Sequence, residues 1–277
     1  QDKLDREYNA QATVGDITPF INMYVDRSNA ARAALQFHDS LSFGPGEEET
    51  LDLFPAGERA PLFVFIHGGY WRALSKNESS FMAPCLGRLG IATAAINYTL
   101  RPHATLDEIV AEVRRALVWL YRHSAELGCD PERIFVAGSS AGGHLAGMLI
   151  SGGWHDKFNV PETIAKGGVL LSGLYDLDPV QRCYANDWVG LDEMSAHRNS
   201  PMAHLPAVGC PLILSYGGSE TNEFKRQSDD YAAAWRSAGF EADCFEIPHR
   251  NHFDIPLELA DPDSILTEKL LKLMAAV

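Results

Sequence analysis

Short apolar runs of strand length recur along this chain, each followed by a longer segment with helical spacing. The runs are "PLFVFI" (61–66), "IATAAINY" (91–98), "RIFVAG" (133–138), "GGVLLSG" (167–173), "PLILSYG" (211–217) and "ADCFEI" (242–247). They show little polar alternation, so both faces of each strand need cover, and the intervening helices supply it. The pattern predicts an α/β fold with a mostly parallel sheet and helices on both faces. Two earlier runs, "FHDSLSF" and "TLDLF", flank "GPGEEE" and read as an N-terminal antiparallel hairpin at the sheet edge.

Helix boundaries carry their own signals. Ser75 is a good N-cap for a helix reaching about Leu89, and Thr105 with Glu108 has capping-box spacing ahead of "IVAEVRRALVWLYRHSAEL", which ends near Gly128. A small-residue helix "AGGHLAGMLI", one from about Asn222 to Ala238 and a last one from about Ser264 complete the series. A single domain over 1–277 accounts for this pattern. Residues 174–206 are the exception: their periodicity is weak and the stretch is too long for a plain connection, so it reads as a lid or pocket insertion.

Charge narrows the partners. A formal net charge of -14 with no offsetting basic stripe argues against nucleic acid or an anionic membrane and leaves a small molecule as the expected partner. There is no run of 18 apolar residues, and "QDKLDREYNAQ" at the start is charged, so neither a membrane span nor a signal peptide is read. The five cysteines are spread out and lack CxxC spacing, which suits reduced thiols in a cytoplasmic protein. The sequence leaves room for a homodimer.

The sharpest chemical signal is "VAGSSAGGHLAG", where Gly138, Ser140 and Gly142 form GxSxG between an expected strand and an expected helix. A strand-to-helix turn that tight excludes bulk at its flanks and projects the serine oxygen above the sheet, which makes Ser140 a candidate nucleophile. An attacked carbonyl needs donors for its oxyanion, and "HGGYW" after the "PLFVFI" run offers bare backbone at Gly68 and Gly69, opposite the amide of Ala141. Tyr70 and Trp71 read as an aromatic wall beside the serine, with filling of the core beneath the loop as the alternative. For the general base, "IPHRNHFDI" offers His249 at the strand end and His252 further into the loop, and His252 is favoured. For the acid, the loop after "PLILSYG" offers Glu220 and Glu223, with Asp176 as a rival one strand earlier; Glu220 is favoured because Glu223 falls in a helix's first turn. HExxH, cysteine pairs and GxGxxG are absent, so neither metal nor cofactor is expected.

Taken together, "HGGYW", "NYTLRP", "GSSAGGHLA", "SGLYDL", "SPMAHLP", "ETNEFKRQS" and "NHFDI" resemble the kynurenine formamidase (arylformamidase) group of α/β-hydrolases, near the hormone-sensitive-lipase-type esterases. HGG followed by an aromatic pair differs from the HGGG of the lipase-like esterases. The resemblance implies an α/β-hydrolase fold and hydrolysis of a small acyl group, formyl above all, from an aryl amine such as N-formyl-kynurenine. It places the acid on Glu220, where animal members carry aspartate. The alternatives are a general carboxylesterase on aryl or short-chain esters, and a non-catalytic binding protein built on a hydrolase scaffold.

Overall fold

A computed structural model describes residues 1–276. Eight strands form one sheet: β1 (His38–Ser42), β2 (Thr50–Phe54), β3 (Ala60–Ile66), β4 (Ala92–Ile96), β5 (Cys129–Ser139), β6 (Gly167–Leu171), β7 (Leu212–Gly217) and β8 (Ala242–Ile247). Their order is β1-β2-β4-β3-β5-β6-β7-β8. β1 and β2 pair antiparallel at one edge, β2 meets β4 antiparallel, and the remaining pairs are parallel. This is the α/β-hydrolase arrangement, with the N-terminal hairpin at its edge.

The two faces of the sheet read directly from residue parity. Leu62, Val64 and Ile66 of β3 with Ile134 and Val136 of β5 point into one core, shared with Ile109, Val113 and Leu117 of helix Leu106–His123, with Leu145 and Met148 of helix Ala141–Ile150, and with Phe224 and Trp235 of helix Asn222–Ser237. Phe63, Phe65, Phe135 and Ala137 point the other way, onto Tyr24 of helix Thr18–Ala34, Leu86 of helix Ala83–Arg88 and Leu270 of helix Ile265–Ala275. Burial on both faces is why the strands read as unbroken apolar runs. The Thr105–Glu108 capping box forms as expected, with each side chain accepting from the other's backbone N–H.

One sequence expectation changes. The helix expected from Ser75 to Leu89 is broken into a 3₁₀ turn, Lys76–Glu78, and a short helix, Ala83–Arg88. Ser75 does cap the first piece, accepting from Asn77 N–H at 3.1 Å. Pro84 ends the continuity: its ring would clash with the carbonyl of Ser80 inside a helix, whereas the first turn of a new helix tolerates it. The N-terminus, where the sequence pattern marks no element, holds helices Asp2–Glu7 and Thr18–Ala34 ahead of the first strand. The buried positions of the longer one, Tyr24, Ser28 and Ala31, keep the i, i+4, i+7 spacing of a helix face. Residues 174–206 fold as three short helices, Asp178–Gln181, Asn186–Val189 and Glu193–Arg198, followed by a 3₁₀ turn at Pro201–Ala203, all between β6 and β7. No described helix is long and apolar enough to cross a membrane.

Candidate active site

In an open parallel sheet the loops at the strands' carboxyl ends converge, and here those ends bring the candidate residues together. β5 stops at Ser139, and Ser140 turns the chain with φ 58 and ψ -120 before helix Ala141–Ile150 begins. A non-glycine residue held at positive φ costs on the order of 1–3 kcal/mol, so the surroundings must hold this turn in place. They leave no slack: a Cβ on Gly138 would lie 2.2 Å from the Gly142 carbonyl oxygen, and one on Gly142 would lie 2.0 Å from that of Ile66. The glycines of GxSxG are steric requirements of this elbow.

The loop after β3 approaches the elbow as closely. A Cβ on Gly68 would meet the Ser139 carbonyl oxygen at 2.8 Å and the Ser140 Cβ at 3.3 Å. Gly69 (φ 94), Tyr70 (φ 50) and Trp71 (φ 57) then run consecutively through the left-handed region, closed by Arg72 and Ala73 N–H donating to the Gly69 carbonyl at 3.0 and 3.1 Å. Successive amides in such a turn form an anion-binding concavity. Among the described residues the N–H groups of Gly68 and Gly69 have no acceptor. His67 locks the start of the turn: its buried ring stacks on Tyr98 at 4.2 Å, and its Nδ1–H donates to the Gly68 carbonyl at 2.9 Å. Burial pushes the His67 pKa down to about 4, so the ring is neutral.

Trp71 departs from the aromatic-wall expectation. It is fully buried and does not line the cavity, because its indole is drawn into the core by a hydrogen-bonded relay. Nε1–H donates to His144 Nδ1 at 3.2 Å, and His144 Nε2–H donates to the Asn199 carbonyl at 2.7 Å. Burial lowers the His144 pKa to about 4, which keeps the ring neutral and the relay in one tautomer. Trp71 thus ties the strained turn to the elbow helix and to residues 174–206. Tyr70 does reach the cavity; its hydroxyl donates to the Tyr8 carbonyl at 2.6 Å, and its ring meets Trp188 edge-on at 5.8 Å.

β7 and β8 deliver the remaining pair. Glu220 follows β7 and His252 follows β8, and His252 Nδ1 lies 2.7 Å from Glu220 Oε2 with both side chains buried. The other carboxylate oxygen, Oε1, accepts from Ser172 Oγ and Gly217 N–H, both at 2.6 Å. A carboxylate held by three donors has one orientation, and it presents His252 with Nδ1–H toward Glu220 and Nε2 free to accept. The rivals lie elsewhere. His249 is exposed in a turn at φ 66, Glu223 pairs with Arg226 and accepts from Tyr8, and Asp176 accepts from Asp178 N–H.

Ser140, His252, Gly68, Gly69 and Tyr70 all border one cavity of about 420 Å³, within the usual range for a small-molecule site. Its far walls are aromatic and apolar: Tyr24, Phe65, Phe81, Phe253 and Trp188, with Ile21.

A family model described as BD-FAE matches residues 52–164. Kynurenine formamidase of Salmo salar is 32% identical over 99% of this chain and 96% of its own length. The chain belongs to the kynurenine formamidase family. The Danio rerio kynurenine formamidase is 33% identical over 88% of this chain and 84% of its own. A solved structure of a candidate thioesterase from Silicibacter superposes with a TM-score of 0.84 at 30% identity, covering 96% of this chain and 97% of that one. Membership in this family makes the protein a hydrolase with a small-molecule substrate.

In this family member the wall that sequence reading missed comes from the N-terminus. Asn9, Ala10, Gln11, Ile17, Ile21 and Tyr24 border the cavity, and Tyr24 Oη donates to the Phe253 carbonyl beside His252. The buried face of helix Thr18–Ala34, formed by Tyr24, Ser28 and Ala31, is too little apolar to stand out as a stripe in the sequence. Tyr184 and Trp188 bring residues 174–206 to the same cavity. Among the described residues no group of His, Cys, Asp and Glu could hold a metal ion.

Proposed function

We propose that this protein is an arylformamidase that hydrolyses an N-formyl aryl amine, such as N-formyl-kynurenine, through an acyl-enzyme on Ser140. His252 Nε2 takes the Ser140 proton as Oγ attacks the formyl carbon, and the Glu220 carboxylate holds His252 in the required tautomer and stabilises the imidazolium. Amides of Gly68, Gly69 and Ala141 donate to the tetrahedral oxyanion. Collapse breaks the C–N bond, and His252 returns the proton to the departing aryl amine. Water, deprotonated in turn by His252, then releases formate and regenerates Ser140. Residues 174–206 serve as a pocket insertion, and the aryl group lies among Tyr24, Phe81, Phe253 and Trp188. The free thiols suit a cytoplasmic setting.

The observation that carries this reading is the buried His252–Glu220 pair at 2.7 Å, opening onto an aromatic cavity that Ser140 and the glycine turn also border. The full-length likeness to kynurenine formamidases supplies the acyl group. A second reading, esterase or thioester hydrolysis, draws on the Silicibacter neighbour, since the same machinery attacks either carbonyl. Comparing kcat/KM for N-formyl-kynurenine and nitrophenyl acetate separates them. The formamidase reading expects the formamide to be the better substrate despite the ester's activated leaving group; a formamide value no higher than the ester's favours the second reading.

A further inference from the structure

Arg72 follows the glycine turn and borders the cavity, where it is the one Lys or Arg among the lining residues. Arg72 is exposed and, among the described residues, forms no ion pair and no side-chain hydrogen bond. Its guanidinium carbon lies 3.6 Å over the ring of Trp188. That stacking fixes the plane of the guanidinium while leaving its N–H edge free, the geometry suited to a bidentate carboxylate. Glu78 is the one acid lining the cavity, and it is engaged by Ser75 Oγ, which donates to it at 2.9 Å.

The position of Arg72 is as informative as its charge. Its own N–H closes the left-handed turn on the Gly69 carbonyl at 3.0 Å, so one rigid turn carries the free amides of Gly68 and Gly69 and, three residues on, a free cation. A turn of this kind fixes the separation between a reacting carbonyl and an anionic group elsewhere on the same substrate. The geometry points to Arg72 as a specificity residue that receives the carboxylate carried by the leaving group. This rests on the formamidase reading and adds to it the residue that contacts the substrate's carboxylate. A neutral aryl formamide fills the aromatic end of the cavity and leaves Arg72 unused.

The test compares N-formyl-kynurenine with its carboxamide, which keeps the ring and formyl group and removes the charge, in the wild type, Arg72→Gln and Arg72→Lys. The expected result is a loss of about 10- to 100-fold in kcat/KM for the acid in Arg72→Gln, carried by KM, with the carboxamide changing by less than about 3-fold. Arg72→Lys retains part of the preference, because it keeps the charge without the planar fork. Added salt raises KM for the acid alone. Equal losses on both substrates in Arg72→Gln would mean that Arg72 only braces the turn, and no loss on either would mean that it reads nothing; either result overturns the proposal. Wild-type protein that cleaves neither formamide but hydrolyses esters overturns the formamidase reading, and the proposal with it.

Discussion

Replacing Glu220 by Gln changes one atom of a buried group and should disable the site through proton placement alone. The carboxylate meets three donors: His252 Nδ1–H at 2.7 Å, and Ser172 Oγ and Gly217 N–H at 2.6 Å. The amide that replaces it has one acceptor oxygen. Ser172 and Gly217 sit on the same oxygen, so the amide oxygen takes their place and the NH₂ group faces His252. His252 Nδ1 must then accept, which moves the ring proton to Nε2, where it can no longer take the Ser140 proton. The worked template for Ser–His–acid triads assigns such a tautomer error about 10⁴ in kcat, roughly 5 kcal/mol of transition-state stabilisation. The assay is aryl-amine release at saturating substrate, alongside the ¹⁵N shifts of His252 that report its tautomer. Glu220→Asp keeps the charge and should lose less than about 100-fold. A Glu220→Gln protein within about 10-fold of wild-type kcat would refute the argument, since the carboxylate would then have no part in orienting the base.

Other perturbations test the supporting structure. Trp71→Phe removes the donor to His144 Nδ1 and leaves a buried acceptor unpaired, so it should cost about 1–3 kcal/mol in urea unfolding and also lower kcat by loosening the turn; unchanged kcat would make Trp71 mere filling. Gly68→Ala pushes a methyl against the Ser139 carbonyl at 2.8 Å and should lower kcat about 100-fold by displacing the oxyanion donors, which steady-state kinetics would read; wild-type kcat would remove this loop from the chemistry. Acid should destabilise the fold through His144. Its folded pKa of about 4 lies below its unfolded value, so the unfolded chain binds the proton first as pH falls through the ordinary histidine range. Between pH 7 and 5 this one group should remove about 2 kcal/mol of stability, and His144→Gln should shrink the fall in unfolding free energy by a similar amount. A variant with the wild-type pH slope would contradict the buried neutral assignment.

Local chemistry was legible where local geometry decides the matter. Gly138 and Gly142 stand out because a Cβ at either position meets backbone at about 2 Å, and a constraint that severe leaves a readable pattern. Strand order likewise put Glu220 and His252 in loops after adjacent strands, so the candidates could be narrowed to a few residues. What stayed hidden depends on partners far along the chain. Trp71 looks the same in sequence whether it faces a substrate or His144, 73 residues away. The wall from Asn9 to Tyr24 has no chemical motif of its own, and its place over the site is set by contacts such as Tyr70 to the Tyr8 carbonyl and Tyr24 to that of Phe253. The expected helix after Ser75 failed for a local reason that was visible, Pro84, but was outweighed by the N-cap signal.

In the proposed mechanism Ser140 carries the formyl group from an aryl amine to water. Formate and free aryl amine released from N-formyl-kynurenine should be measured together, for the wild type and for Ser140→Ala with its fold checked by circular dichroism. The two products should appear in equal amounts from the wild type, with a loss of about 10³-fold or more in the folded variant. Turnover retained in Ser140→Ala, or amine appearing without formate, would contradict it.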